Sequence, residues 1–183
     1  MTYDIAALSE QILQSPKLCG NVTLVTIDGP AGSGKTTLAH ALAHRLPHAQ
    51  VIEMDGLYNG WSKALESQLW DRVEQLILQP LSQGRAAQYE TFNWSSNTFD
   101  TSAHLEPTDV VILEGVGSSH PSVKAFSSLN IWISAPDELL LDRVLNRDGS
   151  HLRDQMLAWQ VAEREYFTQF SIETNADVHL SGN

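Results

Sequence analysis

Residues 27–38 read Ile-Asp-Gly-Pro-Ala-Gly-Ser-Gly-Lys-Thr-Thr-Leu, and this stretch decides the fold of the chain. It contains the pattern G-x-x-x-x-G-K-T, which is typical of a loop that binds phosphate. A run of β-branched and apolar residues at 22–27 precedes the loop and predicts a buried strand. Residues 37–46 follow with the apolar spacing of an amphipathic helix. This strand–loop–helix order predicts a site for a nucleoside triphosphate.

The loop offers three kinds of group to a nucleotide. Glycines allow a tight turn that points N–H groups inward, and the following helix adds the positive end of its dipole. Lys35 is predicted to reach the β- and γ-phosphates of ATP, and the Thr36 hydroxyl to bind Mg²⁺. A glycine-rich turn that binds nothing is the weaker alternative, because the strand and helix flank it. The predicted nucleotide-binding residues are Gly29, Ala31, Gly32, Ser33, Gly34, Lys35, Thr36 and Thr37.

Length and charge exclude several classes of protein. The 183 residues suit one domain, and no linker or repeat divides them, so a single domain over residues 1–183 is predicted. The 11 basic and 22 acidic residues give a net charge of −11, which argues against nucleic acid or an anionic membrane as partner. A lone cysteine and an N-terminus without a basic or apolar region predict a cytoplasmic protein with no signal peptide. The oligomeric state is not determined by the sequence.

Apolar strands alternate with helical patterns along the whole chain. This alternation predicts an α/β protein with the three-layer P-loop NTPase fold, in which a mostly parallel sheet of about five strands has helices on both faces. Residues 84–107 are polar and aromatic, and they are predicted to be irregular, with at most one short extended piece. Further strands are predicted at 50–54, 110–113, 130–133 and 176–180, and helices at 5–13, 65–79, 136–147 and 152–170, the second of which should stop at Pro80.

Two carboxylates are predicted at the carboxyl ends of strands, where such sheets bind ligands. Glu114 follows four apolar residues, and with Thr36 it is predicted to bind the metal ion. Asp55 ends the second strand, and it is predicted to accept the proton of a substrate hydroxyl. The alternatives are an ordinary acidic residue at a strand end for Glu114 and a turn residue before Gly56 for Asp55.

Two arginines lie four residues apart on the helix after the fourth predicted strand. Arg143 and Arg147 therefore share one helix face and are predicted to stabilise charge on a transferred phosphoryl group. Arginines on helices are more often solvated, which is the alternative. Residues 147–155 are predicted to form a lid, and Arg153 joins the pair if that segment folds over the nucleotide.

Aromatic residues supply candidates for the acceptor site. Tyr58, Tyr89 and Trp94 are predicted to line it, together with Asp55 and Asn93. Packing or loop anchoring is an equal alternative for the aromatic residues of the irregular segment. The helix at 152–170 also contains aromatic residues, Trp159 among them, and their spacing is typical of packing.

Four further segments of the chain, outside the phosphate loop, follow one another in an informative order. Met54–Tyr58, Leu113–Gly115, Arg143–Asp148 and Ala176–Val178 resemble motifs of the uridine kinase and phosphoribulokinase branch of P-loop kinases. The resemblance implies that the aspartate of the first motif is the base and that the arginines embrace the phosphates. The chain departs from the branch at Gly56 and Leu57, and Asn93 stands where an aspartate is expected. These departures leave the identity of the acceptor open.

The combined prediction is an ATP-dependent small-molecule kinase that uses Mg²⁺. It would transfer the γ-phosphoryl group to a hydroxyl or phosphate of a nucleoside, a nucleotide or a related metabolite. Its predicted catalytic residues are Lys35, Asp55, Arg143 and Arg147. The alternative is a nucleotide-binding regulator or slow ATPase without a small-molecule acceptor. A component of a nucleic-acid machine is disfavoured by the acidity.

Overall fold

The structure, a computed structural model, describes residues 4–182. In chain order its elements are α1 (Ile5–Gln14), β1 (Thr23–Asp28), α2 (Lys35–Arg45), β2 (Ala49–Glu53), α3 (Ser67–Val73), a π-helical turn (Glu74–Leu78), α4 (Gln79–Ser82), β3 (Ala87–Asn93), β4 (Thr98–Leu105), β5 (Val110–Glu114), α5 (Pro121–Lys124), β6 (Leu129–Ser134), α6 (Asp137–Asp148), α7 (Arg153–Phe170) and β7 (Val178–Ser181).

The central sheet has five strands in the order β2-β5-β1-β6-β7, and every neighbouring pair is parallel. All residues of β1 and β5 are buried, as expected for strands covered on both faces. In the register of these two strands Ile27 lies opposite Glu114, so the phosphate loop and the acidic strand end emerge side by side. The predicted α/β fold is confirmed.

Helices cover both faces of this sheet with separate apolar cores. On one face Leu8 and Ile12 of α1 pack with Leu38 and Leu42 of α2 against the sheet. On the other face the core includes residues of α3, α6 and α7, such as Leu69, Val144 and Trp159. Helices α2 and α7 therefore cover opposite faces of the sheet.

The prediction that residues 84–107 are irregular is wrong. They form an antiparallel hairpin of β3 and β4, separate from the central sheet, with a bulge between Thr91 and Phe92. The turn between the strands includes Asn97 with φ +57°, a conformation that asparagine tolerates well. The segment is rich in aromatic and threonine residues, which favour strands. Its many polar residues led instead to the prediction of irregular structure.

The predicted stop at Pro80 is also wrong, because the chain remains helical from Ser67 to Ser82. Proline has no N–H to donate and clashes with the carbonyl four residues earlier in an α-helix. Here the π-helical turn immediately before α4 changes the pairing, and the N–H of Gln79 bonds to the carbonyl of Glu74. The helix therefore continues through Pro80 because a π-helical turn precedes it.

Within residues 4–182 the structure contains no helix long and apolar enough to span a membrane. The expectation of no signal peptide rests partly on residues 1–3, which lie outside the described residues.

Candidate nucleotide and acceptor site

The phosphate loop joins β1 to α2 in the geometry that its glycines predict. Gly34 has φ +102° and precedes the first helical residue, Lys35, so the loop amides meet the helix N-terminus. A Cβ at Gly29 would collide with the backbone carbonyl of Ile133, so only glycine fits at that close approach. The Lys35 ammonium is buried and donates to the carbonyls of Gly29 and Pro30, at 2.8 and 3.0 Å. The lysine is therefore already held at the loop, beside the space for phosphate.

Thr36 and Glu114 meet at the point where a metal ion is predicted. The Thr36 hydroxyl donates to Oε1 of Glu114 at 2.8 Å, and burial raises the pKa of this glutamate above its ordinary value. No cluster of three or more histidine, cysteine or acidic side chains suited to a metal exists among residues 4–182. One hydroxyl and one carboxylate nevertheless fit Mg²⁺, which takes few protein ligands and completes its shell with phosphate oxygens and water.

Asp55 lies in a short 3₁₀ turn, Met54–Gly56, directly after β2. Its backbone carbonyl accepts a hydrogen bond from the Trp94 indole N–H at 3.1 Å, which ties the turn to the β3–β4 hairpin. The carboxylate faces a cavity and is reached by solvent from there, yet protein surrounds it closely enough that desolvation raises its pKa. The charges of Lys35 and Arg147 partly oppose that rise. Asp55 therefore lies near the phosphate loop, with its carboxylate at the cavity.

A cavity of about 380 Å³ brings most of the predicted site residues together. The predicted residues that line it are Ala31, Gly32, Ser33, Gly34, Lys35, Thr36, Thr37, Asp55, Tyr58, Trp94, Glu114, Arg143 and Arg147.

Two residues predicted to bind the acceptor do not line this cavity. Tyr89 lies on β3 beside a shallow groove between the hairpin and β2. Asn93 stabilises the hairpin turn: its side-chain oxygen accepts from the backbone N–H of Ser95 at 3.0 Å, and its amide donates to Asp100 at 3.2 Å. The asparagine therefore has a local role in the turn.

The arginine pair projects from α6 toward the loop. Arg143 donates to the backbone carbonyl of Gly32 at 3.3 Å. Arg147 is held by the neighbouring Asp148 through two bonds of 2.7 and 2.8 Å. Both arginines line the cavity, whereas Arg153 at the start of α7 does not. The sequence spacing thus identified the pair, and the helix places it beside the phosphate loop.

Asp28 is a site residue that sequence reasoning missed. It is fully buried at the end of β1, and its carboxylate accepts backbone N–H bonds from Gly29, Gly117 and Ser119 at 2.8 to 3.3 Å. The Tyr166 hydroxyl donates to it at 3.3 Å. Asp28 therefore joins the phosphate loop to the loop after Glu114. An acidic residue inside an apolar strand run was the available signal.

Glu163 is a second missed residue, on the inner face of α7. Its side chain is 1% exposed and accepts the backbone N–H of Ala31 at 3.0 Å, while burial raises its pKa above the ordinary value. This bond fastens α7 to the phosphate loop across 132 residues of chain. No local pattern in the sequence predicts this hydrogen bond between Glu163 and Ala31.

Two tryptophans, Trp61 and Trp159, also line the cavity, although neither was predicted to do so. Trp61 precedes α3 and is 41% exposed, whereas Trp159 of α7 is 7% exposed. Trp159 was interpreted as a packing residue, and it does pack, with its ring centroid 5.3 Å from that of Tyr58. The same ring also lines the cavity. Packing and site formation are therefore combined in one side chain.

Residues 25–167 match the AAA domain family, AAA_18. The chain belongs to this family. Among the relatives of this AAA domain protein, the uridine kinase of Schizosaccharomyces pombe is 24% identical over 145 residues, which cover 69% of this chain and 32% of that protein. The uridine kinase of Lactobacillus johnsonii is 27% identical over 143 residues, which cover 68% of this chain and 67% of that protein.

Among solved structures, a possible uridine kinase from Bacillus stearothermophilus aligns with a TM-score of 0.72 at 18% identity, with 96% of each chain covered. At that identity the match shows the shared fold. The sequence matches confirm the predicted resemblance to uridine kinases. This AAA domain protein spans about a third of the length of the Schizosaccharomyces pombe relative.

Proposed function

We propose that this protein is an ATP-dependent kinase of a small molecule that bears a hydroxyl group. The observation that carries the proposal is the meeting, in one cavity, of a phosphate loop and the carboxylate of Asp55. A nucleotide-binding protein needs the loop, but transfer to an alcohol also needs a base on the acceptor side. The similarity to proteins named uridine kinase supports the same conclusion.

The reaction follows from the positions of these groups. The acceptor oxygen would form a bond to the γ-phosphorus of ATP as the bond between that phosphorus and the β–γ bridging oxygen breaks, and ADP would leave. Asp55 would take the hydroxyl proton. Lys35 would neutralise charge on the phosphates, and Arg143 with Arg147 would stabilise the charge that spreads over the transferred group.

Mg²⁺ would supply charge neutralisation between the phosphates when it is bound, as it does in phosphoryl-transfer enzymes. Thr36 and Glu114 are the residues that would hold it, either directly or through water. Glu163 and Asp28 would act on the loop, because they hold Ala31 and Gly29 through backbone N–H groups.

The test is a coupled assay of ADP release with Mg-ATP against a panel of nucleosides, nucleoside monophosphates, sugar alcohols and amino alcohols. Lys35→Ala serves as the blank, because it removes the cationic side chain of the phosphate loop. Release that depends on an acceptor and disappears in the variant is the expected result. Tight ATP binding without stimulation by any acceptor would instead favour a regulator or slow ATPase.

A further inference from the structure

The cavity is lined by both charged and aromatic side chains. Its three cationic side chains are directed to the phosphate loop or paired beside it: Lys35 with the carbonyls of Gly29 and Pro30, Arg143 with that of Gly32, and Arg147 with Asp148. Four aromatic residues also line the cavity, and Asp55 adjoins them because its backbone carbonyl accepts from the Trp94 indole N–H. These four residues, the aromatic wall, are Tyr58, Trp61, Trp94 and Trp159.

The rings of the aromatic wall meet at steep angles. Trp61 lies 6.0 Å from Trp159 at an interplanar angle of 79°, and 5.2 Å from Trp94 at 56°. Tyr58 meets Trp159 at 52°. By contrast, Trp70 and His120 stack 3.9 Å apart at 15° elsewhere in the core. The wall is therefore a corner of inclined faces rather than a pair of parallel planes.

Such a corner suits a compact cation better than a flat base. The faces of indole and phenol rings have negative electrostatic potential and attract an ammonium group that lies within about 6 Å of a ring centroid. Several inclined faces can contact a tetrahedral group at once, whereas a flat base stacks on only one of them. A carboxylate beside the wall adds a favourable charge for a cation and an unfavourable one for an anion.

We propose that the acceptor of this kinase carries an alkylammonium group, which binds in the aromatic wall while its hydroxyl reaches Asp55. The part that concerns the hydroxyl rests on the proposed kinase function, whereas binding of the cation does not.

Calorimetry with two probes of equal shape tests the charge preference without turnover. Choline and its uncharged carbon isostere, 3,3-dimethylbutan-1-ol, are each titrated into the full chain saturated with Mg²⁺ and a non-hydrolysable ATP analogue. We expect choline to bind about tenfold more tightly than the isostere, the difference that a desolvated cation–π site provides. Equal affinities, or tighter binding of the isostere, would overturn the proposal.

Substitution of Trp61 tests whether the wall is responsible. Trp61 is 41% exposed, so its replacement should leave the fold intact. Trp61→Leu keeps an apolar surface without a ring and should abolish the preference for choline, whereas Trp61→Phe should retain most of it. Leu13→Ala, at an exposed position on α1 outside the cavity, is the control. An unchanged preference in Trp61→Leu would contradict the assignment.

The two proposals can fail separately. Selective binding of choline without acceptor-dependent ADP release would support the cation site and overturn the kinase. ADP release stimulated by uridine but by no ammonium compound would establish the kinase and overturn the cation site.

Discussion

Replacement of Asp28 by asparagine should weaken the fold at the base of the site. The wild-type carboxylate accepts three backbone N–H bonds and one tyrosine hydroxyl in a fully buried position. An amide offers one oxygen, and its NH₂ group would face the N–H of Ser119 or that of Gly29. One or two buried donors would lose their acceptor, at a cost of about 1–3 kcal/mol each. We therefore expect Asp28→Asn to lower the free energy of unfolding by about 2–4 kcal/mol at pH 5, where the wild-type carboxyl is largely protonated and the substitution removes no buried charge. The loss at pH 7 should be smaller, because there the substitution also removes a buried charge.

The same residue predicts a pH effect of known sign. Burial raises the pKa of Asp28 from 3.8 to about 6, although the hydrogen bonds from Ser119 and Gly29 and the charge of Lys35 oppose it. The native protein then binds this proton more tightly than the unfolded chain does, so its ionisation lowers stability as the pH rises from about 4 to 6 and above. Integration of that difference makes the wild type about 1 kcal/mol more stable at pH 5 than at pH 7 through this group.

Urea denaturation followed by tryptophan fluorescence at pH 7 and pH 5 measures both effects. Other buried carboxylates with raised pKa values, such as Glu114 and Glu163, are present in both proteins. Because the charge of Asp28 also raises the pKa of Glu163, the difference between wild type and variant reports Asp28 together with this coupling. Asp109→Asn is the matched control: this side chain is 55% exposed in a 3.7 Å pair with Lys17, and its replacement should cost less than about 1 kcal/mol. An Asp28→Asn variant as stable as the wild type at pH 5 would refute the reasoning.

Two further predictions concern the reaction. The double variant Arg143→Ala with Arg147→Ala should lower turnover on the order of a hundredfold or more while ATP still binds, because both side chains line the cavity beside the loop. Arg164→Ala, on the exposed face of α7, is the control. Turnover of the double variant within about threefold of the wild type would show that the two arginines are not part of the mechanism. Since Asp55 must be ionised to act as base and desolvation raises its pKa above 3.8, kcat/KM should rise with pH on an acidic limb displaced upward from that value. Asp55→Asn should lower kcat on the order of a hundredfold and lose this limb, and a limb that persists in the variant would assign it to another group.

The phosphate loop shows how far local sequence determines structure. The residues from Gly29 to Thr36 have a glycine pattern between a strand and a helix, and this local pattern predicts the loop. The arginine pair can also be predicted locally, since a spacing of four residues on α6 places both side chains on one face.

The acceptor half of the site could not be predicted in this way. Tyr58, Trp61, Trp94 and Trp159 come from three separate parts of the chain, and the segment that forms the hairpin around Trp94 was predicted to be irregular. The sequence assigned Tyr89 and Asn93 to this site, but the hairpin turns them elsewhere. Which aromatic residues reach the cavity depends on the packing of a hairpin and a helix that are far apart in sequence.

The α/β pattern, the phosphate loop, the strand-end acid and the two arginines on one helix face can be recognised in the sequence, because each leaves a local pattern of residue types. Tertiary packing instead sets the buried contacts of Asp28 and Glu163 with backbone groups up to 132 residues away, and the shape of the aromatic wall. A buried carboxylate is stable where donors surround it, and those donors meet only after the layers have packed.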